Sequence, residues 1–327
     1  MKYTNLADSP EYYLDTIKLI EKAFNYSSSN SFAVDFAPLM AESNHHNCHI
    51  YIDTAENKVI AHVGVLNNNF KIKDKVFNTS MYGGIAVDEA YRGQSLFSSL
   101  FTAAIEENLD STLHLLWSDK VEMYEKFGFY PAIEQYEHHQ AEDSKSNYSK
   151  TKLSKLNAQQ EKQLKELYKS SPELRFERED SHWMALKAIS STNLYIKEEK
   201  NEIINYFFIN KGEDLGGVII EYGDIKDIKE INTHGILWST VGSEEADVLY
   251  ASVLKLGEHK LFSEFIHTYT EGMIAILSIT DEEVEFDFEK SKFKLNHSEF
   301  LTGVFGPGRF EELSHLDPIY ISGLDSI

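Results

Sequence analysis

The chain has 327 residues, 42% apolar and 26% charged, a globular mix that excludes a wholly disordered chain, a collagen and a coiled-coil rod. Its 31 basic residues against 53 acidic ones leave a formal charge of −22, which repels phosphate backbones and argues against nucleic-acid binding. The single cysteine, Cys48, excludes an intramolecular disulfide and a four-cysteine zinc site. The first residues lack the apolar run of a signal peptide, and no stretch reaches membrane-spanning length, so a soluble, cytoplasmic protein is expected. Length alone suggests two domains.

Residues 11–24 carry Tyr12, Ile17, Ile20 and Phe24 near helical spacing behind a Ser9-Pro10 start signal, and predict a helix. Residues 49–53 and 59–66 predict two strands around a Glu56-Asn57 turn. Residues 76–87 predict a long strand in which Gly83-Gly84 signals a bulge or a close backbone approach. A helix over 95–109 turns Leu96, Leu100, Ala103 and Ala104 to a core; a short strand over 113–117 and a short helix over 121–127, stopped by Gly128, follow.

The polar stretch 144–150 has no apolar period and signals a boundary. Beyond it, residues 158–169 predict a helix with Leu164, Leu167 and Tyr168 on its apolar face. Strands are expected over 194–196, 203–209, 217–221 and 284–288. In the last, Val284, Phe286 and Phe288 alternate with acidic residues, one buried face against one solvated face. The expected organisation is a first domain over 1–140, a linker and helix over 141–172, and a second domain over 173–327, in a mixed α/β architecture.

The most informative segment is Ile85-Ala86-Val87-Asp88-Glu89-Ala90-Tyr91-Arg92-Gly93-Gln94-Ser95-Leu96-Phe97, in which a strand ends, a polar turn follows and a helix begins. Unpaired N–H groups and the positive end of the helix dipole make such a start a fitting place for a pyrophosphate, with Arg92 adding charge. Most helix starts bind only water or their own cap, and Ser95 is a candidate N-cap.

Residues 87–97 resemble the acetyl-CoA-binding segment of the GNAT N-acetyltransferase superfamily, with Arg92 and Gly93 in place, Ser95 where glycine is usual and Phe97 where glycine or alanine is usual. Downstream, Tyr124-Glu125-Lys126-Phe127-Gly128-Phe129 resembles the family's tyrosine-x-x-x-glycine-phenylalanine signature. The resemblance covers roughly residues 1–138. It implies acetyl-CoA as cosubstrate, held by the backbone of Ile85, Ala86 and Val87 and by Arg92, Gly93, Gln94, Ser95, Leu96 and Phe97. It also implies Tyr124 as general acid: with a reference pKa of about 10, a tyrosine is protonated at neutral pH and can donate to a departing thiolate. On residue pattern alone, Tyr124 reads as a tyrosine packed on Phe127 and Phe129.

More faintly, residues 205–223 resemble the second lobe of tandem GNAT proteins, a degenerate fold without the phosphate loop; the expected fold is thus two lobes, each a mixed, mostly antiparallel sheet flanked by helices. Leu115-Leu116-Trp117-Ser118 parallels Ile236-Leu237-Trp238-Ser239, by duplication or by chance. The tail from Pro318 to Ile327 stays apolar to its last residue. In the group of enhanced intracellular survival acetyltransferases, which the chain resembles, the terminal carboxylate returns to the first active site. That makes Ile327 a candidate base or substrate anchor, against an edge strand ending at the surface. Asp88 and Glu89 are other candidate bases, or solvated turn residues.

His45-His46-Asn47-Cys48-His49 and His138-His139 lack convergent metal-ligand spacing, so no metal is expected. Gly303-Val304-Phe305-Gly306-Pro307-Gly308-Arg309 is no P-loop and reads as a turn near the pocket wall. The expected activity is acetyl transfer to a primary amine of a small acceptor, a cationic one suiting the acidic surface, with no nucleic-acid or membrane partner and an open oligomeric state. The alternatives are a catalytically inactive acyl-CoA-binding or interaction module, favoured by Ser95 and Phe97, and an acyl transferase with a longer donor.

Overall fold

The computed structural model describes residues 1–27, 30–139, 147–224, 235–306 and 308–327. The first half runs β1 (Lys2–Asn5), α1 (Tyr13–Ala23), α2 (Phe32–Asp35), α3 (Ala37–Met40), β2 (Cys48–Asp53), β3 (Lys58–Ile72), β4 (Lys75–Val87), α4 (Leu96–Glu106), β5 (Leu113–Leu116), α5 (Val121–Glu125) and β6 (Tyr130–His139). Then come β7 (Ser149–Thr151), α6 (Ala158–Lys169), α7 (Asp180–Leu186), β8 (Asn193–Glu199), β9 (Glu202–Ile209), β10 (Val218–Tyr222), β11 (Ile236–Ser239) and β12 (Asp247–Leu256). The chain finishes with α8 (His259–Tyr269), β13 (Ile274–Ile279), β14 (Glu283–Phe288), β15 (Ser291–Asn296) and α9 (His297–Phe305).

Local chemistry accounts for many of these bounds. Asn157 and Gln160 form a reciprocal capping box that starts α6, and Asn296 with Glu299 does the same for α9. The β3–β4 hairpin turns at Lys73, φ 56°, and the β2–β3 turn at Asn57, φ 51°. Along β14, Val284, Phe286 and Phe288 are buried and the acidic residues between them are not, as the alternation predicts. The domain boundary expected at 140/141, and residues 144–146 of the polar stretch, lie outside the described residues.

Strands β1 to β12 form one sheet in the order β1-β2-β3-β4-β5-β12-β6-β11-β10-β9-β8-β7. Two lobes repeat within it. In the first, β3 pairs antiparallel with β4 and β4 parallel with β5. In the second, β9 pairs antiparallel with β10 and β10 parallel with β11. The lobes then exchange strands: β12 lies antiparallel on β5, and β6 lies antiparallel on β11. Each lobe thereby closes with a strand from the other, and β6 pairs with β12 across the middle.

A separate three-stranded sheet, β13-β14-β15, carries α8 and α9 against the back of the first lobe. Phe265 of α8 meets Phe77 of β4 edge-on at 5.2 Å, and Phe176 stacks on Phe70 at 4.4 Å. Such buried rings contribute about 1.5–3 kcal/mol each. Gly303, expected in a turn near the pocket, instead lies within α9, where a Cβ would press on the Phe310 ring at 2.6 Å. Among the described residues no helix is long and apolar enough to cross a membrane.

Candidate active site

β4 and β5 pair from Thr79↔Leu113 to Tyr82↔Leu116 and then part. Beyond that point Gly83 to Val87 have no ladder partner on the β5 side among the described residues. Their N–H and C=O groups can receive an extended ligand as they would a neighbouring strand. The pairing with β3 shifts register between His62 and Gly64, the bulge expected at Gly83-Gly84. Gly84 sits at φ +58°, a conformation strained for any side chain. Burial lowers the His62 pKa to about 4, and the neutral ring donates from Nδ1 to the Gly84 carbonyl at 2.7 Å.

Past β4, Asp88 accepts from the Ala90 N–H at 3.0 Å and pairs with Lys58 at 3.4 Å, while Glu89 pairs with Arg92 at 3.6 Å. These two carboxylates brace the turn. Gly93 lies at φ +79° with nothing within 4 Å of the place a Cβ would occupy. Ser95 stands at the N-cap of α4, as expected, in the left-handed conformation, but its side chain makes no capping bond. Arg92 to Ser95 are exposed while Leu96 is buried, so the space before the positive end of α4 is open. That open turn fits a pyrophosphate.

From the open edge a cavity of about 940 Å³ extends between the lobes, within the usual range for small-ligand sites. Tyr82, Gly83, Gly84 and Ile85 form one wall, and Trp117 to Val121, Met123 and Tyr124 another. Tyr124 is 6% exposed and meets Phe97 edge-on at 5.7 Å. Burial pushes its pKa up to about 12, a hydrogen bond with Ser118 only partly offsetting this, so the phenol holds its proton at neutral pH. The second lobe contributes Asp214, Leu215, Trp238, Leu249, Ser252 and Val253, and the tail contributes Ser326 and Ile327. A Cβ on Gly83 would lie 2.1 Å from the main-chain oxygen of Ile327, so only glycine admits the tail at that point. The tail is therefore no surface edge strand: Ile319 to Ser326 are buried.

Residues 8–132 match the family model described as an acetyltransferase (GNAT) domain. Over this segment the chain is similar to the GNAT acetyltransferases. Among solved structures, the chain is similar to a probable N-acyltransferase from Enterococcus faecalis, at 12% identity over 90% of this chain and 85% of that one, with a TM-score of 0.58. It is also similar to a GCN5-related N-acetyltransferase from Anabaena variabilis, at 11% identity over 97% and 94%, with a TM-score of 0.58. Eis1 from Mycobacterium abscessus shares 9% identity over 93% and 90%, with a TM-score of 0.57. The two-lobe GNAT fold thus extends over nearly the whole chain, as the likeness to the enhanced intracellular survival acetyltransferases implied. No curated protein matches the sequence.

Ile85, Tyr124 and Ile327 line the cavity together. Ala86 and Val87 continue the open edge, and Arg92 to Phe97 form the turn and first helical residues beyond it. Phe97 packs in the aromatic cluster of Phe101, Tyr124 and Phe127 and leaves the exposed turn clear. The sequence led us to expect the second lobe to shape the acceptor pocket, but singled out none of Asp214, Leu215, Trp238, Leu249, Ser252 or Val253 as wall residues. One signal was present: Trp117 and Trp238, from the paralleled Trp-Ser pairs, meet edge-on at 5.7 Å across the cavity. Of the histidine-rich segment, His45 and His46 lie in a 3-10 turn, and Cys48 and His49 are buried in β2. Among the described residues a single potential ligand group gathers, Glu137, His139 and Asp247, with His139 and Asp247 exposed to solvent.

Proposed function

We propose that the protein is an acetyl-CoA-dependent N-acetyltransferase that acetylates a primary amine of a small cationic acceptor by direct attack. The domain organisation in this reading is acetyl-CoA binding in residues 1–140, a linker over 141–172 and acceptor shaping by 173–327. The observation that carries it is the cavity in which the open edge of β4, a protonated tyrosine and second-lobe carboxyl and aromatic groups face one another.

Acetyl-CoA would supply the activated thioester. The N–H groups at Ile85 to Val87 hold its extended arm and stabilise the negative charge that develops on the carbonyl oxygen as the amine nitrogen attacks the carbonyl carbon. The turn Arg92 to Ser95, with Leu96 and Phe97 opening α4, holds the pyrophosphate. As the C–S bond breaks, Tyr124 gives its phenolic proton to the leaving sulfur, and the proton that the amine nitrogen sheds on becoming an amide restores the phenol, directly or through the base. Ile327 serves as base or acceptor anchor through its main-chain carboxyl group.

Asp119 and Asp214 stand among Phe24, Phe32, Phe36, Trp117 and Trp238 around the acceptor side. Carboxylates and ring faces together favour a cation. The Trp117 indole N–H and the Ser252 hydroxyl are buried without a hydrogen-bond partner among the described residues, two polar atoms that an acceptor can satisfy. Incubation with acetyl-CoA and a panel of amines, followed by thiol release, tests the reading. Amine-dependent thiol release is expected; acetyl-CoA binding without release under any amine would instead make the protein a non-catalytic acyl-CoA-binding module.

A further inference from the structure

We propose that Lys211 is a positioning residue for this transfer: from the second lobe it holds residues 323–326 so that Ile327 stands against Gly83 in the acceptor cavity. The inference rests on the reading of that cavity as the site of acetyl transfer.

Lys211 follows β9 and is fully buried. Its ammonium lies 3.0 Å from the carbonyl oxygen of Gly323, 3.0 Å from that of Leu324, 2.6 Å from that of Ser326 and 3.2 Å from the Ser326 hydroxyl. All its hydrogen-bond acceptors among the described residues therefore belong to the tail. It also lies over the ring face of Phe36, a first-lobe residue on the cavity wall, at 4.5 Å. Burial lowers its pKa to about 7, with Asp325 and Asp35 acting in the opposite sense. A buried ammonium is expensive unless satisfied, and here the tail alone satisfies it by hydrogen bonding.

The same stretch of tail is clamped from the other side. Arg178 donates from Nε and Nη2 to the Asp325 carboxylate, both at 2.8 Å, and also pairs with Glu221 of β10. Gly323 donates to the Ile220 carbonyl at 2.9 Å and passes so close that a Cβ on it would meet the Ile220 Cβ at 2.7 Å. With residues 323–326 held on both flanks, the next residue has little freedom, and it is the one whose main chain lies on Gly83. A cation that is not itself part of the cavity lining thus sets Ile327 within it, where a misplacement of about 1 Å can cost 10²-fold in rate.

Lys211→Met, compared with wild type, tests this in three readouts. Acetyl-CoA affinity is expected to stay within twofold, while kcat/KM for the acceptor falls roughly 10–100-fold. Hydrogen exchange in residues 319–327 is expected to rise while β3 and β4 stay protected. In a chain lacking Ser326 and Ile327, the same substitution is expected to add no further kinetic loss, because its effect runs through the tail. Additive losses in that background, or unchanged tail exchange, would overturn the proposal. Should Lys211→Met fail to fold, Lys211→Gln, which keeps two N–H donors, is expected to change the same quantities in the same direction to a smaller extent. If wild type releases no thiol with any amine, the reading of the reaction fails, and the exchange comparison still decides whether Lys211 holds the tail.

Discussion

In the first lobe the parallel ladder stops at Tyr82 and Leu116; in the second it stops at Ile219 and Leu237, the matching point of the two Leu-Trp-Ser motifs. What lies beyond the two end points differs. Past Tyr82 the strand continues through Gly83 and Gly84 with its edge open, and residues 88–112 supply the turn and α4 before β5 begins. Past Ile219 the place of Gly83 is taken by Ile220, whose carbonyl receives the Gly323 N–H at 2.9 Å and the Tyr320 hydroxyl at 2.9 Å. Glu221 and the Tyr222 carbonyl are tied to Arg178 and Arg175. One lobe leaves the gap open; the other fills it with its own tail and two buried arginines, then sends the tail on to the first gap.

The largest effect expected from this contrast lies in chemistry. Tyr124→Phe removes the proton donor while keeping the ring against Phe97, so kcat should fall roughly 10²–10⁴-fold with acetyl-CoA affinity unchanged in titration. An unchanged kcat would leave Tyr124 a packing residue.

Paired glycine substitutions separate the two gaps. Gly323→Ala forces a methyl into Ile220 and should lower stability by about 1–3 kcal/mol in urea denaturation. Gly83→Ala drives a methyl into the main chain of Ile327, and should act on acceptor turnover first, because the clash falls on the end of the tail inside the cavity. Equal effects of both changes on stability and turnover would erase the distinction.

Acid should act mainly on the first lobe. Burial lowers the pKa of His62 to about 4 and of His114 to about 3, from an ordinary 6.5. Both rings are neutral in the folded chain, and the unfolded chain binds more protons between pH 6.5 and 4. Stability is therefore full above pH 6.5 and declines as pH falls through that window, with about two protons taken up on unfolding near pH 5. In the second lobe, the Arg178 charge holds the Asp325 carboxyl well below its ordinary range against the opposing effect of burial, so tail docking should outlast this decline. Denaturant midpoints between pH 7 and 4 measure it.

The first lobe was the more legible in sequence because its signals are local. The helix over 95–109, the glycine bulge, the Arg92-Gly93 turn and the Tyr124 signature each declare themselves within about fifteen residues. The exchange of β6 and β12 does not, since a strand's partner is chosen by contacts far along the chain. Nor did Asn210-Lys211-Gly212 announce a buried cation: a lysine beside a glycine reads as a loop, and only the return of residues 323–326 brings its acceptors. Asp214 and Ser252 became cavity walls for the same reason.

Calorimetric titration of the whole protein with acetyl-CoA tests the contrast between the lobes most directly. One saturable site per chain, weakened in a Gly93→Ala variant and indifferent to Lys211→Met, is the predicted result. Two sites per chain, or a single site that survives unchanged when the Gly93 turn is altered, would contradict it.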